Sequence, residues 1–493
     1  MKNRQTFALI FLVVASVSCT SCSSKREATE RMRPNILVMI ADDWSYPHAS
    51  AYGGIPIETT TFDRVAREGV LFTNAFCNAP SCTASRAALL TGMYPHQLEE
   101  GVNLWGSLPI KFPTYASVLS GHGYRVGHEQ KGWGPGNFRA GGYDHNPAGF
   151  TYENFAAFYD SLKEGQPFCY WFGSHDPHRP YEKGSGIAAG LDPHAVTVPG
   201  FLPDVPEGRS DLLDYYFEVK RFDTDCGKIL SFLDSVGQLD NTMVIITSDN
   251  GMPFPRAKAG AYDGGSKVPL AIRWKGFESG QVVDGFVSLI DIAPTVLSIA
   301  LDTSLTTMAG RNLAPYVSKK EVFASDKVFL ERERHAYVRR DNLGYPMRAI
   351  RTRNFLYINN LEPDRWPAGD PEAIYSVGAF GDIDNSPTKS FLIDHRKTTM
   401  VEQEMTMNKL DFSDLAALAI EKRPAEELYD LSSDPYQLMN IIGNERYADS
   451  LAQLRLQLIQ WRQATEDPRL TGGGEQIDHY PYYGNKSMDP VKK

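Results

Sequence analysis

Four short stretches bring together residue types able to do chemistry on an anion. Asn78 to Gly92 reads NAPSCTASRAALLTG: Cys82 is followed four positions later by Arg86, inside a run whose Ala87, Ala88, Leu89 and Leu90 spell a helix stopped by Gly92. Thr83 or Ser85 is placed to cap that helix, which sets Cys82 at the positive end of its dipole. Such a position favours an anionic nucleophile and an anionic substrate. Composition alone favours a plainer outcome, a buried thiol or a bridge to Cys77. Asp42-Asp43 and Ser248-Asp249-Asn250-Gly251 carry hard oxygen donors of the kind that suit calcium, with magnesium less suited to so protein-rich a shell. By themselves such residues more often cap helices and turns. His175 and His178, in Ser174-His175-Asp176-Pro177-His178, are candidates for proton transfer or for structural hydrogen bonds.

The elements around these residues give them a common address. Asn35 to Ala41 (NILVMIA), Phe168 to Phe172 (FCYWF) and Met243 to Thr247 (MVIIT) are continuous apolar runs, as expected of strands buried on both faces. Each ends in one of the polar clusters. Val70 to Phe72 and Leu270 to Trp274 read as further strands, Phe62 to Glu68 as a short helix, and Leu212 to Leu233 as a long amphipathic one. The alternation indicates an α/β sheet with helices on both faces, and open sheets of this class place their sites beyond the strand C-termini. Past residue 340, Arg348 to Asn359 reads as two strands of a separate antiparallel sheet. Residues 360–425 look loop-rich, Leu451 to Ala464 helical, and the tail from Gly472 extended over the surface.

A chain of 493 residues can bury a large core. Its net charge of -10 and pI of about 5.6 argue against a general nucleic-acid binder, so an anionic ligand must meet a local basic patch. Lys2 and Arg4 precede an apolar run from Phe7 to Val17, too short to span a bilayer, followed by Cys19 and Cys22. We read residues 1–22 as a signal peptide of lipoprotein type, with Cys19 or Cys22 lipidated. The expected location is then the periplasm, or anchorage by lipid to the outer membrane of a Gram-negative cell; plain secretion stays open. Cys169 and Cys226 are expected to be buried thiols, and no CxxC pair suggests zinc.

Cys82-Thr83-Ala84-Ser85-Arg86, followed by Leu90-Thr91-Gly92, resembles the signature C-x-(P/A)-S-R-x-x-x-L-T-G of the type I sulfatases. The resemblance implies that a maturing enzyme converts Cys82 to formylglycine, whose hydrated aldehyde attacks sulfur. It implies an alkaline-phosphatase/sulfatase-like fold: a large mixed sheet sandwiched by helices in a catalytic domain over 33–340, with a smaller α+β subdomain over 341–485. It further implies one calcium ion on Asp42, Asp43, Asp249, Asn250 and an oxygen at position 82. Arg86, Lys131 and Lys258 (in Lys258-Ala259-Gly260-Ala261-Tyr262-Asp263-Gly264-Gly265) take the sulfate, and His178, in H-x-P, becomes the general acid. There is one departure. The family's lysine is usually followed by W-H, and here Trp133 stands in the histidine's place; His128 is the nearby substitute.

Several stretches look closest to the heparan N-sulfatase branch: His175-Asp176-Pro177-His178-Arg179, Ser248 to Gly251 leading to Pro253-Phe254-Pro255, and Tyr345-Pro346-Met347-Arg348. The implied substrate is N-sulfoglucosamine at the non-reducing end of heparin or heparan sulfate, with His175, Arg179, His335 and Arg348 near it. An O-sulfatase acting on another sulfated sugar and a non-catalytic surface glycan-binding lipoprotein are the rivals. A phosphohydrolase of the related superfamily would need a Ser or Thr nucleophile and zinc ligands that this pattern lacks. Arg332, Arg334, Arg339, Arg340, Arg348, Arg351 and Arg353, with His335, fit either a surface for an anionic glycan or a solvated charged face. Trp366 is a candidate for stacking on sugar.

Overall fold

The computed structural model describes Met1 and residues 33–318, 325–373, 375, 377–398 and 410–485. The expected signal peptide and its lipidation site, residues 1–22, lie outside the described residues apart from Met1. From Arg33 onward the chain clusters as one unit. No helix among the described residues is long and apolar enough to cross a membrane.

The larger sheet has nine strands: β1 (Asn35–Ala41), β2 (Val70–Phe76), β3 (Arg125–Gln130), β4 (Phe150–Thr151), β5 (Phe168–Gly173), β6 (Thr242–Ser248), β7 (Lys267–Arg273), β8 (Gln281–Val283) and β9 (Val287–Ser288). The order is β4-β3-β5-β1-β6-β7-β2-β8, with β9 also on β2. β1 is central and wholly buried, and it pairs in parallel with β5 on one side and β6 on the other. Its unbroken apolar run follows from that position. Ile36, Val38 and Ile40 enter the core on one face, with Leu89, Leu90 and the helix Ile292–Leu301. Leu37, Met39 and Ala41 enter the other, against the 30-residue helix Pro206–Ser235. Antiparallel pairing of β7 with β6 and β2 makes the sheet mixed. Helices cover both faces, as the sequence implies.

Because β1, β3, β5, β6 and β2 run the same way, their C-terminal ends share one edge: Ala41 lies beside Ser248, and Ile40 and Gln130 beside Gly173. Asp42-Asp43, Lys131, His175 to His178, Asp249-Asn250 and the Cys82 helix all leave the sheet there.

The smaller sheet is antiparallel, in the order β10 (Lys327–Arg332), β11 (Met347–Thr352), β12 (Phe355–Asn360), β13 (Glu426–Asp430). Its alternation is that of a sheet covered twice. Val328, Leu330, Ala349, Leu356 and Ile358 pack on Phe76, Tyr262 and Phe286, while Ile350, Tyr357 and Leu428 pack on Leu451, Leu454, Leu458 and Trp461 of the helix Ala448–Ala464. Its first strand begins at Lys327, ahead of the boundary expected at 340. The run of charges between β10 and β11 hides that start in the sequence. Among the described residues, 360–425 include the helices Pro387–Asp394 and Phe412–Ile420, and the tail is not simply extended. It folds into a helix at Glu475–His479 that buries Ile477, and Tyr483 N donates to the Trp105 carbonyl.

Candidate active site

The helix carrying Cys82 spans Cys82–Thr91, and every residue of it is buried. Gly92 closes it with φ 67°, a left-handed conformation that suits glycine. Its N-cap is Ser81, ahead of the residues expected. Thr83 Oγ1 donates instead to the Pro135 carbonyl, and Ser85 Oγ donates to the Asp249 carbonyl. Both side chains tie the helix to neighbouring loops instead of to its own backbone. Ser81 Oγ is turned toward His335 Nδ1 at 2.9 Å.

Asp42, Asp43, Cys82 and Asp249 are all buried, and one ligand atom from each lies within 4.8 Å of the others. Cys82 Sγ donates to Asp42 Oδ1 at 3.5 Å. Asn250 Nδ2 donates to Asp43 Oδ1 at 2.7 Å, while Asn250 Oδ1 is buried with no hydrogen-bond partner among the described residues. A buried unpartnered acceptor is costly, and beside three carboxylates it fits a cation's shell. Asp43 sits at φ 78°, a conformation costing of order 1 kcal/mol in a residue with a side chain. Its amide donates to Asp249 Oδ1 at 3.1 Å, which holds the two strand ends together. Gly251 must be glycine, since a Cβ there would lie 2.0 Å from the Gly264 carbonyl.

Three cations close over these carboxylates. Arg86 Nε donates to Asp249 Oδ2 at 2.7 Å, and its Nη1 reaches the carbonyls of Lys131 and Gly132. Lys131 Nζ lies 2.6 Å from both oxygens of Asp42. Lys258 Nζ lies 2.7 Å from Asp43 Oδ2 and 3.1 Å from Asp384 Oδ2. Burial would raise Asp42, but Lys131, with His178, Arg86 and Lys258, holds it well below the usual carboxylate range. Burial pushes Asp43 up, against the pull of Lys258. It also pushes the Cys82 thiol well above its usual range, with Asp249 and Asp42 adding to the effect and Lys131 opposing it, so the unmodified residue is a protonated thiol. Asp42, Asp43, Asp249 and Asp384 outnumber the three cations by one. A dication would turn that deficit into one positive charge, matched to a monoanionic ester.

His178 is half-buried, with Nδ1 2.5 Å from the Arg179 carbonyl and Nε2 3.8 Å from Asp43 Oδ2. A carbonyl only accepts, so Nδ1 carries a proton and Nε2 is the nitrogen free to exchange one. His175 is exposed at the same mouth; burial lowers its pKa, Asp42 raises it, and Lys131 and Arg86 lower it further.

The other expected substrate contacts fall out differently. Arg179 forms a fork on Asp211 at 2.7 and 2.8 Å and donates to the Pro253 carbonyl, so it braces the His178 loop and has no free face for substrate. Arg348 is completely buried, with Glu333 at 2.8 Å and Asp467 at 2.9 and 3.0 Å. His335 is buried behind Ser81, and burial drives its pKa down to about 3, so it is a neutral ring. Five arginines of this stretch are buried as internal ties, and only Arg340 and Arg353 are exposed. Arg332 and Arg339 share Asp382, Arg334 donates to the Tyr480 and Pro481 carbonyls, and Arg351 holds Asp263. Fixed carboxylates and carbonyls from distant sequence satisfy these charges, which a local reading cannot see. Trp366 packs on Phe380 beneath Lys422.

Trp133 is buried in the apolar core. His128 is held by the Gly149 carbonyl at 3.0 Å and Thr151 Oγ1 at 3.5 Å, on the β3–β4 side of the sheet. Among the described residues, neither side chain makes a hydrogen bond to the carboxylate cluster. Asp384 is the site residue the sequence did not signal: it lies in a Gly-Asp-rich loop that follows no strand and looks like a solvated turn. Cys77, Cys82, Cys169 and Cys226 are all buried free thiols, which removes the bridge between Cys77 and Cys82.

A family model described as Sulfatase matches residues 34–303. The chain belongs to the sulfatase family. It is a sulfuric ester hydrolase by that membership, and its large sheet with a separate four-stranded one is the sulfatase fold. Human N-sulphoglucosamine sulphohydrolase is 31% identical to this sulfatase, over 89% of this chain and 92% of its own. A solved structure in complex with its substrate D-glucosamine-2-N,6-O-disulfate superposes with TM-score 0.58 at 17% identity, covering 88% of this chain and 98% of its own. A phosphonate monoester hydrolase from Silicibacter pomeroyi gives 0.64 at 16%, covering 89% and 97%. At those identities the two structures speak to the fold alone.

Proposed function

We propose that this sulfatase removes the sulfate carried on nitrogen by N-sulfoglucosamine at the non-reducing end of heparin or heparan sulfate. The observation that carries the reading is the 31% identity to human N-sulphoglucosamine sulphohydrolase across nearly the whole chain. The geometry supports it as a site for a single anionic group: the buried Arg86 and Lys258 and the partly buried Lys131 converge beside Cys82.

Asp42, Asp43, Asp249 and Asn250, with an oxygen at position 82, would hold one calcium ion, and the orphaned Asn250 Oδ1 supports that assignment. Bound there, the ion supplies charge that polarises oxygen. Conversion of Cys82 to formylglycine by a maturing enzyme supplies the nucleophile, a hydrated aldehyde, where the buried thiol is protonated and inert. Lys131 and Lys258 neutralise the oxygens of the transferring group, and Arg86 fixes Asp249 and the Lys131 backbone in place. His178, with Nε2 open to the mouth and its other nitrogen anchored, delivers a proton to the departing amine. We also propose export under the 1–22 signal, with a lipid on Cys19 or Cys22 holding the protein in the periplasm at the outer membrane. The basic and apolar pattern of those residues supports this.

The test is sulfate release from matured protein on a panel of N- and O-sulfated glucosamine monosaccharides. Release from the N-sulfated sugar is expected, and Cys82→Ala should abolish it. Preference for an O-sulfated sugar replaces the substrate. A thiol mass at position 82 with no release from any sugar replaces the reading with glycan binding.

A further inference from the structure

A cavity of about 370 Å³ lies apart from the catalytic mouth, where the start of β7 faces the end of β11. At its wall stands Lys267, with a relative exposure of 9%. Its ammonium lies 3.9 Å from the ring centroid of Tyr46 and 5.9 Å from that of Phe76. Among the described residues its Nζ has no hydrogen bond and no carboxylate within ion-pair reach. The neighbouring acid, Asp263, accepts from Nε and Nη2 of Arg351, at 2.8 Å each. The side chain is buried along its length while its ammonium, lying on aromatic faces with no carboxylate in contact, is left facing the cavity.

The lining has the character of a ligand site. Lys267, Arg351 and Arg353 contribute three cations against the single acid Asp263, while Phe201, Tyr216 and Tyr436 offer aromatic surface. Arg353 is also half-exposed on the Asp284 carboxylate at 3.2 Å. His48, on the same wall, is occupied by the Tyr215 hydroxyl at 3.0 Å. The volume and the mix of aromatic rings with a few convergent charges match pockets that take one small molecule.

We propose that this cavity is a second binding site, for a small ring compound bearing a carboxylate, with Lys267 pairing the anion and the tyrosines flanking the ring. An acidic monosaccharide has that chemistry. The inference is independent of which sulfated sugar the catalytic site accepts. Burial pushes Lys267 down to about 8, opposed by Asp263 and reinforced by Arg351. An anion beside it restores its proton, so occupancy should draw a proton from solution near pH 8. The cavity wall also includes Ser45, whose hydroxyl donates to the Gly264 carbonyl and accepts from Met252 N, both at 2.6 Å. The occupant therefore rests against the back of the loops that present Asp43, Asn250 and Lys258.

Glucuronic acid, which has no sulfate to release, is the probe. Calorimetric titration of the full protein at pH 8, in two buffers of different ionisation enthalpy, should show millimolar or tighter binding with proton uptake. Lys267→Met should weaken binding at least tenfold and abolish the proton uptake. Lys267→Arg should retain binding, and so should Lys258→Ala in the catalytic site. Circular dichroism confirms that each variant is folded. Absence of glucuronate binding, or binding that Lys267→Met leaves unchanged, or binding lost with Lys258→Ala instead, overturns the proposal.

Discussion

Lys258 and Asp384 meet across the two halves of the chain, with Nζ 3.1 Å from Oδ2. The other contact of the same ammonium is Asp43 Oδ2 at 2.7 Å, so Asp384 decides how firmly Lys258 is held over the carboxylate cluster. Asp384→Ala removes one of its two anchors. We expect kcat to fall about tenfold or more, equivalent to about 1.4 kcal/mol of lost positioning, with secondary structure intact. Asp384→Asn, which keeps an acceptor, should recover part of it. Steady-state kinetics on a sulfated monosaccharide give the comparison; a wild-type kcat in Asp384→Ala removes this role.

Arg348 makes the opposite case. Its guanidinium is buried among Glu333, Glu331 and Asp467, so Arg348→Met removes the cation they share and leaves Glu333 to Arg469, Asp467 to Arg462 and Glu331 to His96. An uncompensated buried charge costs about 3–5 kcal/mol, and the surviving partners bring the cost here toward the lower end. Thermal unfolding should show a clear drop in Tm, while KM measured on the folded fraction stays within about twofold. A large rise in KM with an unchanged Tm would return Arg348 to the substrate site.

The carboxylate cluster predicts a response to cations. Chelation should lower Tm and abolish sulfate release, and added calcium should restore both. Asn250→Ala should weaken that restoration by about tenfold or more in calcium concentration, because Oδ1 has no other partner to lose. Differential scanning calorimetry against calcium concentration measures it; identical midpoints in both proteins would exclude Asn250 from the shell.

Buried histidines set the acid limit. Burial holds both His48 and His335 down at about 3, against an ordinary value of 6.5. Between those values the unfolded chain binds protons that the folded one refuses. Stability is thus complete above about pH 6.5 and falls as pH drops toward 3, by up to about 1.4 kcal/mol per unit for each ring. His48→Gln should flatten the fall of Tm between pH 6.5 and 4; an unchanged slope would show that His48 is not among its causes.

The parts of this site legible in the sequence are those that follow a strand. NILVMIA runs straight into Asp42-Asp43, and MVIIT into Ser248 to Gly251. A strand buried on both faces is the strongest local signal a sequence carries, and β1 matches its expected limits at both ends. The motif around Cys82 told which residues belonged together, and Asp42, Asp43, Cys82 and Asp249 are within 4.8 Å. What stayed hidden was set by long-range pairing. Nothing near Arg348 announces Asp467, which lies 119 residues away, and nothing near Arg332 announces Asp382. Asp384 shares that obscurity: its partner Lys258 is known only once the C-terminal loops are laid against the sheet.

One consequence concerns the order of events in making the protein. Cys82 has 2% exposure, and the Thr83 and Ser85 hydroxyls stitch its helix to loops on either side. Any reagent that is to oxidise this side chain must reach it, and folding buries it with every residue of its helix. If position 82 is converted as proposed, the conversion belongs to the newborn chain. A molecule that folds ahead of its modifier is then locked permanently into an inert form.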